Sequence, residues 1–182
     1  TVTNTGNLNI SGGVYTDSAN NKIGTVGVAA LNSGASFVSN SGSIQINVSG
    51  QESTGLFADA GTITITGGNI QASDSGFNLY SRGTTGVVNL NGTTLTTGQK
   101  SLLFYSENGG TFNLNGVNAT IAGGNSSSTR GTAFYYKGTG ASLSVADLEN
   151  YFISTFGPGG LSGGKLTLNM QSGSRLFIVD NI

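Results

Sequence analysis

Carboxylates are the side chains of this 182-residue chain that suit acid–base chemistry, and there are eight of them. Hydrolysis of a glycosidic bond requires two carboxyl groups roughly 5–9.5 Å apart. Only Glu52 and Asp74 take near-equivalent positions, just before the lead glycines of two successive copies of a sequence repeat. Lys100 and Arg130 directly precede the lead residues of the next two copies and so continue this line of charges. A polysaccharide lyase or hydrolase would need such a cluster of acids and bases on one face. The interpretation that we favour is a solvated turn edge whose mixed charges limit association.

Histidine and cysteine are both absent from the sequence. The chain therefore lacks the most common general base and metal ligand, and it has no thiol for catalysis, for a disulfide or for a thiolate metal site. No Gly-rich segment matches a phosphate-binding loop. We predict that the protein is not an enzyme and uses no cofactor or metal. The seven basic residues form no stripe, which argues against a nucleic-acid partner.

Six aromatic residues are the predicted binding residues. Tyr80, Tyr105 and Tyr135 take the same place in three successive copies of a repeat, so their rings are predicted to lie one above the next. A flat aromatic strip would stack on sugar rings or anchor a protein, since a tyrosine ring is apolar and its hydroxyl polar. The alternative is a ladder that only stabilises the stacked strands or lies under an insertion. The remaining candidates are Tyr136, Tyr151 and Phe152.

The repeat that places these tyrosines is an apolar segment led by Gly or Ser, which recurs at intervals of roughly 20–30 residues. Segments that alternate apolar and polar residues run between its copies, as is typical of half-buried strands. Repeats of a β-propeller are longer, and a β-sandwich has no aligned repeat. We therefore predict an all-β right-handed parallel β-helix of about 20–30 residues per coil, with residues 1–182 forming one segment. The copies are Gly27–Leu31, Gly55–Asp59, Gly76–Tyr80, Ser101–Tyr105 and Gly131–Tyr135.

Alignment of the five copies on their lead residues predicts the columns of side chains that face the core. The second and fourth residues of each copy point the same way in a strand and are mostly apolar. The fourth grows from Ala30 and Ala58 to Leu79, Phe104 and Phe134. This series indicates either a cross-section that widens toward the C-terminal end or irregular filling by neighbouring columns.

Two amide ladders are predicted in the alternating segments. The alignment places Asn113 over Asn89 and Asn115 over Asn91. Identical side chains in register favour stacked parallel strands, because each amide can bond to the one on the next coil.

The repeat is interrupted by an insertion at 141–165, in which a helix is predicted at about 145–156. Ser144 is a suitable N-cap, and Asp147 takes the matching capping-box position. The Gly- and Pro-containing run Gly157–Gly160 then ends the helix. Insertions are frequent places for function in repeat proteins. The alternative is that this helix covers one side of the core.

The alternating run Gly61–Gly67, followed by Gly76–Tyr80, resembles passenger domains of Gram-negative type V autotransporters. It is most similar to the very long repetitive adhesins of the fusobacterial kind, and distantly similar to vacuolating-cytotoxin passengers. The resemblance covers nearly the whole chain except 144–160. It implies an exported right-handed β-helix that is displayed at the cell surface or outer membrane or is secreted. It also implies a parent protein with a C-terminal outer-membrane β-barrel, and it transfers no active-site residues.

The leading functional hypothesis is an adhesin segment that binds a host or bacterial cell-surface protein or glycan, or that serves as a structural stalk. A polysaccharide-active β-helix enzyme and an oligomerising toxin passenger are the alternatives. No apolar run approaches the ~20 residues that span a bilayer, so we predict that the chain itself does not span a membrane. No export signal opens the sequence, and we expect a larger parent protein whose ends hold any signal or anchor.

Overall fold

A computed structural model describes residues 1–138 and 143–181 of the chain. Strands make up 57% and helix 7%, and the strands of neighbouring coils pair in parallel. The predicted all-β class with parallel sheets and one helix is therefore confirmed, and the architecture is consistent with a parallel β-helix. The elements are β1 (Val2–Asn4), β2 (Leu8–Gly12), β3 (Tyr15–Thr16), β4 (Lys22–Ile23), β5 (Val26–Leu31), β6 (Ser36–Ser49), β7 (Thr54–Asp59), β8 (Thr62–Ser73), β9 (Phe77–Arg82), β10 (Val87–Asn91), β11 (Thr94–Thr97), β12 (Leu102–Glu107), β13 (Thr111–Asn115), β14 (Val117–Ile121), β15 (Thr132–Gly138), α1 (Val145–Phe156), β16 (Leu166–Met170) and β17 (Arg175–Asn181).

The parallel strands form three faces. The first face contains β1, the N-terminal parts of β6 and β8, then β10 and β13. The second face contains β2, the C-terminal parts of β6 and β8, then β11, β14 and β16. The third face contains β5, β7, β9, β12, β15 and β17. The short hairpin β3–β4 lies between the second and third faces of the first coil.

Apolar side chains from all three faces fill one continuous core. The alternation seen in the sequence places every second residue inside, as with Ile63 and Ile65 on the first face and Ile70 on the second, all fully buried. Burial of these columns on successive coils stabilises the stack at roughly 25 cal/mol per Å² of apolar surface. No helix in the described ranges is long and apolar enough to cross a membrane.

The register of the third face corrects the alignment made from the sequence. Leu56 lies beside Leu79, and Thr54 rather than Leu56 lies beside Phe77. The predicted columns were wrong by two residues between the second and third copies, so Ala58 belongs with Ser81. In the corrected core column the side chains still enlarge along the chain. That column contains Val28, Leu56, Leu79, Phe104, Phe134 and Phe177.

The lead residues gave the wrong register because they serve different purposes. Gly55 lies inside β7, where a Cβ atom would be 2.7 Å from the carbonyl oxygen of Asn78 on the next coil. Gly76 instead precedes β9 at a corner, a place that Ser53 and Ser101 take on the neighbouring coils. A Cβ atom on Gly76 would lie 3.0 Å from the Ser53 carbonyl oxygen, but the serines at the neighbouring corners show that this place accepts a side chain, so the two glycines are not equivalent.

Helix α1 takes the place of a first-face strand. The chain runs from β15 on the third face through α1 to β16 on the second face, whereas earlier coils pass through a first-face strand at this point. The helix packs against β13. The ring of Phe156 is 1% exposed and lies 5.0 Å from Phe104, 5.9 Å from Phe112 and 5.8 Å from Phe134 between ring centroids. The helix therefore covers the core, as the second interpretation of the insertion held.

The predicted bounds and caps of the helix are confirmed. The Ser144 hydroxyl accepts a bond from the Asp147 N–H at 3.1 Å, and the Asp147 carboxylate accepts one from the Ser144 N–H at 2.8 Å. Gly157, with φ at 86°, ends the helix, and its N–H donates to the Ile153 carbonyl. The Lys165 ammonium also holds this end, where carbonyl dipoles favour a cation. It donates to the carbonyl oxygens of Phe156, Pro158 and Gly160.

The predicted amide ladders lie on the outer side of the first face. The Asn113 amide donates to the Asn89 oxygen at 2.8 Å, and Asn115 donates to Asn91 at 3.3 Å. Asn89 in turn donates to the Thr64 hydroxyl at 3.1 Å. These side chains bond to one another along the stack and so stabilise the first face.

Candidate functional site

Tyr80, Tyr105 and Tyr135 lie on adjacent strands of the third face, as the repeat predicted. Their neighbouring ring centroids are 4.8 Å and 5.6 Å apart, and the ring planes are inclined by 60° and 65°. Phe57 extends the column, with its ring centroid 4.7 Å from that of Tyr80. The predicted ladder is therefore present, but the prediction of a flat strip was wrong, because edge-to-face contact is a preferred geometry of aromatic pairs.

A column of charged residues runs beside the tyrosines on the same side of the third face. The sign alternates from strand to strand, so each charge has opposite charges as neighbours. Arg82 donates to both carboxylate oxygens of Asp59, at 3.0 Å and 2.5 Å, which is the one ion pair among the described residues. This bond lowers the pKa of Asp59. In order, the column is Asp59, Arg82, Glu107, Lys137 and Asp180.

The tyrosine hydroxyls bond to this charged column. Tyr80 donates to Glu107, and Tyr135 donates to Asp180 at 2.6 Å. Burial, followed by the bond to Glu107, raises the pKa of Tyr80 to about 12. The bond to Asp180, followed by burial, raises the pKa of Tyr135 to about 12. The hydroxyl groups of Tyr80 and Tyr135 are thus already hydrogen-bonded within the protein.

The raised pKa values predict a loss of stability in alkaline solution. The folded state favours the neutral form of Tyr80, so its contribution is complete below the ordinary pKa of 10.0 and is lost as the pH rises to about 12. We expect tyrosinate absorbance to show a late phase near pH 12 that the variant Tyr80→Phe reduces. A titration in which every tyrosine ionises near pH 10 would contradict this assignment.

A groove of about 450 Å³, here called the corner groove, opens where the third face meets α1. Its wall is formed by strands β12 and β15, by the turn after β12 and by the C-terminal half of α1. It brings together four of the six predicted binding residues from three different elements. The four are Tyr105, Tyr135, Tyr136 and Tyr151, and Glu107, Lys137 and Ser154 lie beside them.

Lys137 gives the corner groove a charged group that the fold leaves available. The ring of Tyr136 contacts that of Tyr151 edge to face at 5.7 Å. The Tyr151 hydroxyl is buried and has no hydrogen-bond partner among the described residues, and burial raises the pKa of this side chain. The exposed Lys137 forms no ion pair with any described residue. The groove therefore combines aromatic surface with an exposed cation, whereas the Tyr151 hydroxyl is too buried to contact a ligand.

The other two predicted binding residues lie outside the corner groove. Phe152 packs into the aromatic core, with its ring 5.4 Å from Phe134 and 5.8 Å from Phe177. Its remaining surface lines a separate groove of about 410 Å³ on the far side of α1. Tyr80 lies one strand away from the corner groove, where its hydroxyl bonds to Glu107.

The line of Glu52 and Asp74 lies on exposed turns between the second and third faces. The corrected register places Glu52 level with Ser75 rather than with Asp74. Glu52, Asp74 and Lys100 all have positive φ, at 63°, 53° and 61°. Within the described ranges, none of their side chains forms an ion pair. Glu52, Asp74 and Lys100 thus lie on a solvated edge of turns, which is the interpretation that we favoured from the sequence.

Comparisons with protein-family models, with curated proteins and with solved structures found no match to this chain.

Proposed function

We propose that this protein is a segment of a surface-exposed adhesin and that its corner groove binds a glycan of a host or bacterial cell surface. The observation that carries the proposal is the convergence of four tyrosines from β12, β15 and α1 on one groove. Tyr151 also packs against the core, but the groove is open, and the exposed Lys137 at its edge forms no ion pair within the described ranges.

The chemistry of the groove suits a sugar. A pyranose ring presents C–H groups on its faces and hydroxyls on its rim, so it requires aromatic surface and hydrogen-bonding groups together. Tyrosine supplies both, and a few convergent polar groups fix the orientation of a ligand in a mostly apolar site. Lys137 and Ser154 lie at the edge of the aromatic surface, where they would bond to hydroxyls.

Binding rather than catalysis is the activity that we propose. Glu107 is the only carboxylate among the described residues that line the corner groove, and it already accepts a hydrogen bond from Tyr80. A retaining or inverting glycosidase uses two carboxyl groups on opposite sides of the scissile bond. The outer placement that adhesion requires is supported by the resemblance of the repeats to autotransporter passengers. We propose that the tyrosine column stabilises the stack of coils, so that the segment also serves as a structural stalk.

Filling the corner groove tests the proposal. Ser154 is exposed at its wall, and we expect Ser154→Trp to weaken binding on a glycan array and to cells by at least roughly tenfold, which is about 1.4 kcal/mol. Ser18→Trp, at the exposed tip of the β3–β4 hairpin, is the matched control. Circular dichroism should show both variants folded. Equal binding by wild type and folded Ser154→Trp would show that the groove is not the site.

A further inference from the structure

The outer side of the second face carries two long columns of uncharged polar side chains. They extend over six strands, or roughly 24 Å at the usual strand spacing. Every member is an amide or a hydroxyl, and no charged or aromatic side chain interrupts either column. One column contains Asn9, Gln45, Asn69, Thr94, Asn118 and Thr167, and the other contains Ser11, Asn47, Gln71, Thr96, Thr120 and Asn169.

The second face differs from the first in how its amides are used. On the first face, Asn113 and Asn115 bond to the asparagines of the preceding coil. On the second face, no side chain of either column hydrogen-bonds to another described residue, and Asn69 keeps a buried amide oxygen without a partner. Stabilisation of the stack thus explains the first-face amides but not those of the second face.

The N-terminal half of these columns forms a shallow groove of about 300 Å³. Asn9, Gln45, Asn47, Asn69 and Gln71 line it with amide groups from three successive strands. An amide group has two donors and an acceptor. The Asn69 oxygen is buried, and the other groups recur on neighbouring strands about every 4.8 Å. The result is a periodic array of donors and acceptors along the axis of the stack.

We propose that the second face binds an extended, uncharged polysaccharide lying along the stack of coils. A repeating polymer matches a repeating array, because each sugar meets the same pair of columns on the next strand. The ligand is uncharged because neither column has a charge that would pair with a carboxylate or sulfate. Vicinal hydroxyls of a sugar would provide the hydrogen-bonding partners that these amides do not have within the described structure. This surface is separate from the corner groove and does not depend on the proposed function.

Gel retardation by soluble polysaccharides tests this inference. Native gels would contain hydroxyethyl cellulose, dextran or soluble starch as neutral probes, and carboxymethyl cellulose as a charged analogue. We expect the protein to be retarded by at least one neutral polymer and less by carboxymethyl cellulose. Absence of retardation in all three neutral gels, or stronger retardation by the charged polymer, would overturn the inference.

Paired variants assign the retardation to the second face. We expect Asn47→Ala with Gln71→Ala to reduce the apparent affinity at least about threefold, whereas Asn91→Ala with Asn115→Ala on the first face leaves it unchanged. If the first pair does not fold, the isosteric pair Asn47→Asp with Gln71→Glu replaces it, with the same loss expected. Ser154→Trp should keep the retardation, which separates this surface from the corner groove. Equal loss in both face variants would refute the assignment.

Discussion

Replacement of Phe156 by alanine is expected to lower the free energy of unfolding by about 3–5 kcal/mol, the cost of removing a fully buried aromatic ring. The ring is 1% exposed and fills the space between Phe104, Phe112 and Phe134. These three contacting side chains lie on different strands and cannot all move into the vacated volume, so a cavity remains. Urea denaturation followed by circular dichroism measures the change.

Ile153 provides the control on the same helix. Its side chain is 51% exposed, so Ile153→Ala should cost less than about 1 kcal/mol. If Phe156→Ala were as mild as Ile153→Ala, α1 would not cover the core, and its place on the first face would be incidental. A loss of several kcal/mol in Phe156→Ala alone supports a helix that substitutes for a strand.

Replacement of Asn78 by alanine is expected to cost about 3 kcal/mol, because it leaves buried hydrogen-bonding groups without partners. The Asn78 amide donates to the carbonyl oxygens of Ile70 at 3.0 Å and Thr96 at 2.9 Å. Its oxygen accepts from the Thr97 hydroxyl at 2.8 Å. One side chain thus ties the third face to the second face on two coils. Thermal and urea unfolding both report the loss.

Asn91 is the matched asparagine for this test. It is exposed and accepts a single long bond, at 3.3 Å from Asn115, so Asn91→Ala should change the stability by less than about 0.5 kcal/mol. A change below about 1 kcal/mol for Asn78→Ala would mean that the buried amide does not hold the two faces together.

Local signals in the sequence were sufficient for the class of fold and for the helix. Alternation fixes which residues of a strand face inward, and Ser144, Asp147 and Gly157 mark both ends of α1 with side-chain and backbone geometry that needs no tertiary contact. The register between coils depends on contacts across strands. Gly55 and Gly76 look alike in sequence, but only Gly55 is required by the closeness of Asn78.

Only part of the candidate site could be predicted, because the rest depends on the register and packing between coils. Tyr80, Tyr105 and Tyr135 follow one another without a shift in register, so the repeat revealed them. The charged column was missed because the two-residue error placed Asp59 level with Tyr80 rather than with Arg82. The corner groove depends on where α1 packs, and no pattern in the sequence indicates that Tyr151 meets Tyr136.

Tyrosine-ring NMR tests the central claim, the binding of a glycan in the corner groove, most directly. The protein has six tyrosines, of which four line the groove, and Tyr15, 65% exposed on the β3–β4 hairpin, serves as an internal control. With ring-labelled tyrosine and the saccharide that binds best in a glycan screen, we expect the signals of Tyr105, Tyr135, Tyr136 and Tyr151 to shift while that of Tyr15 stays fixed. A screen without any binder, or a bound saccharide that leaves those four signals unchanged, would contradict the account.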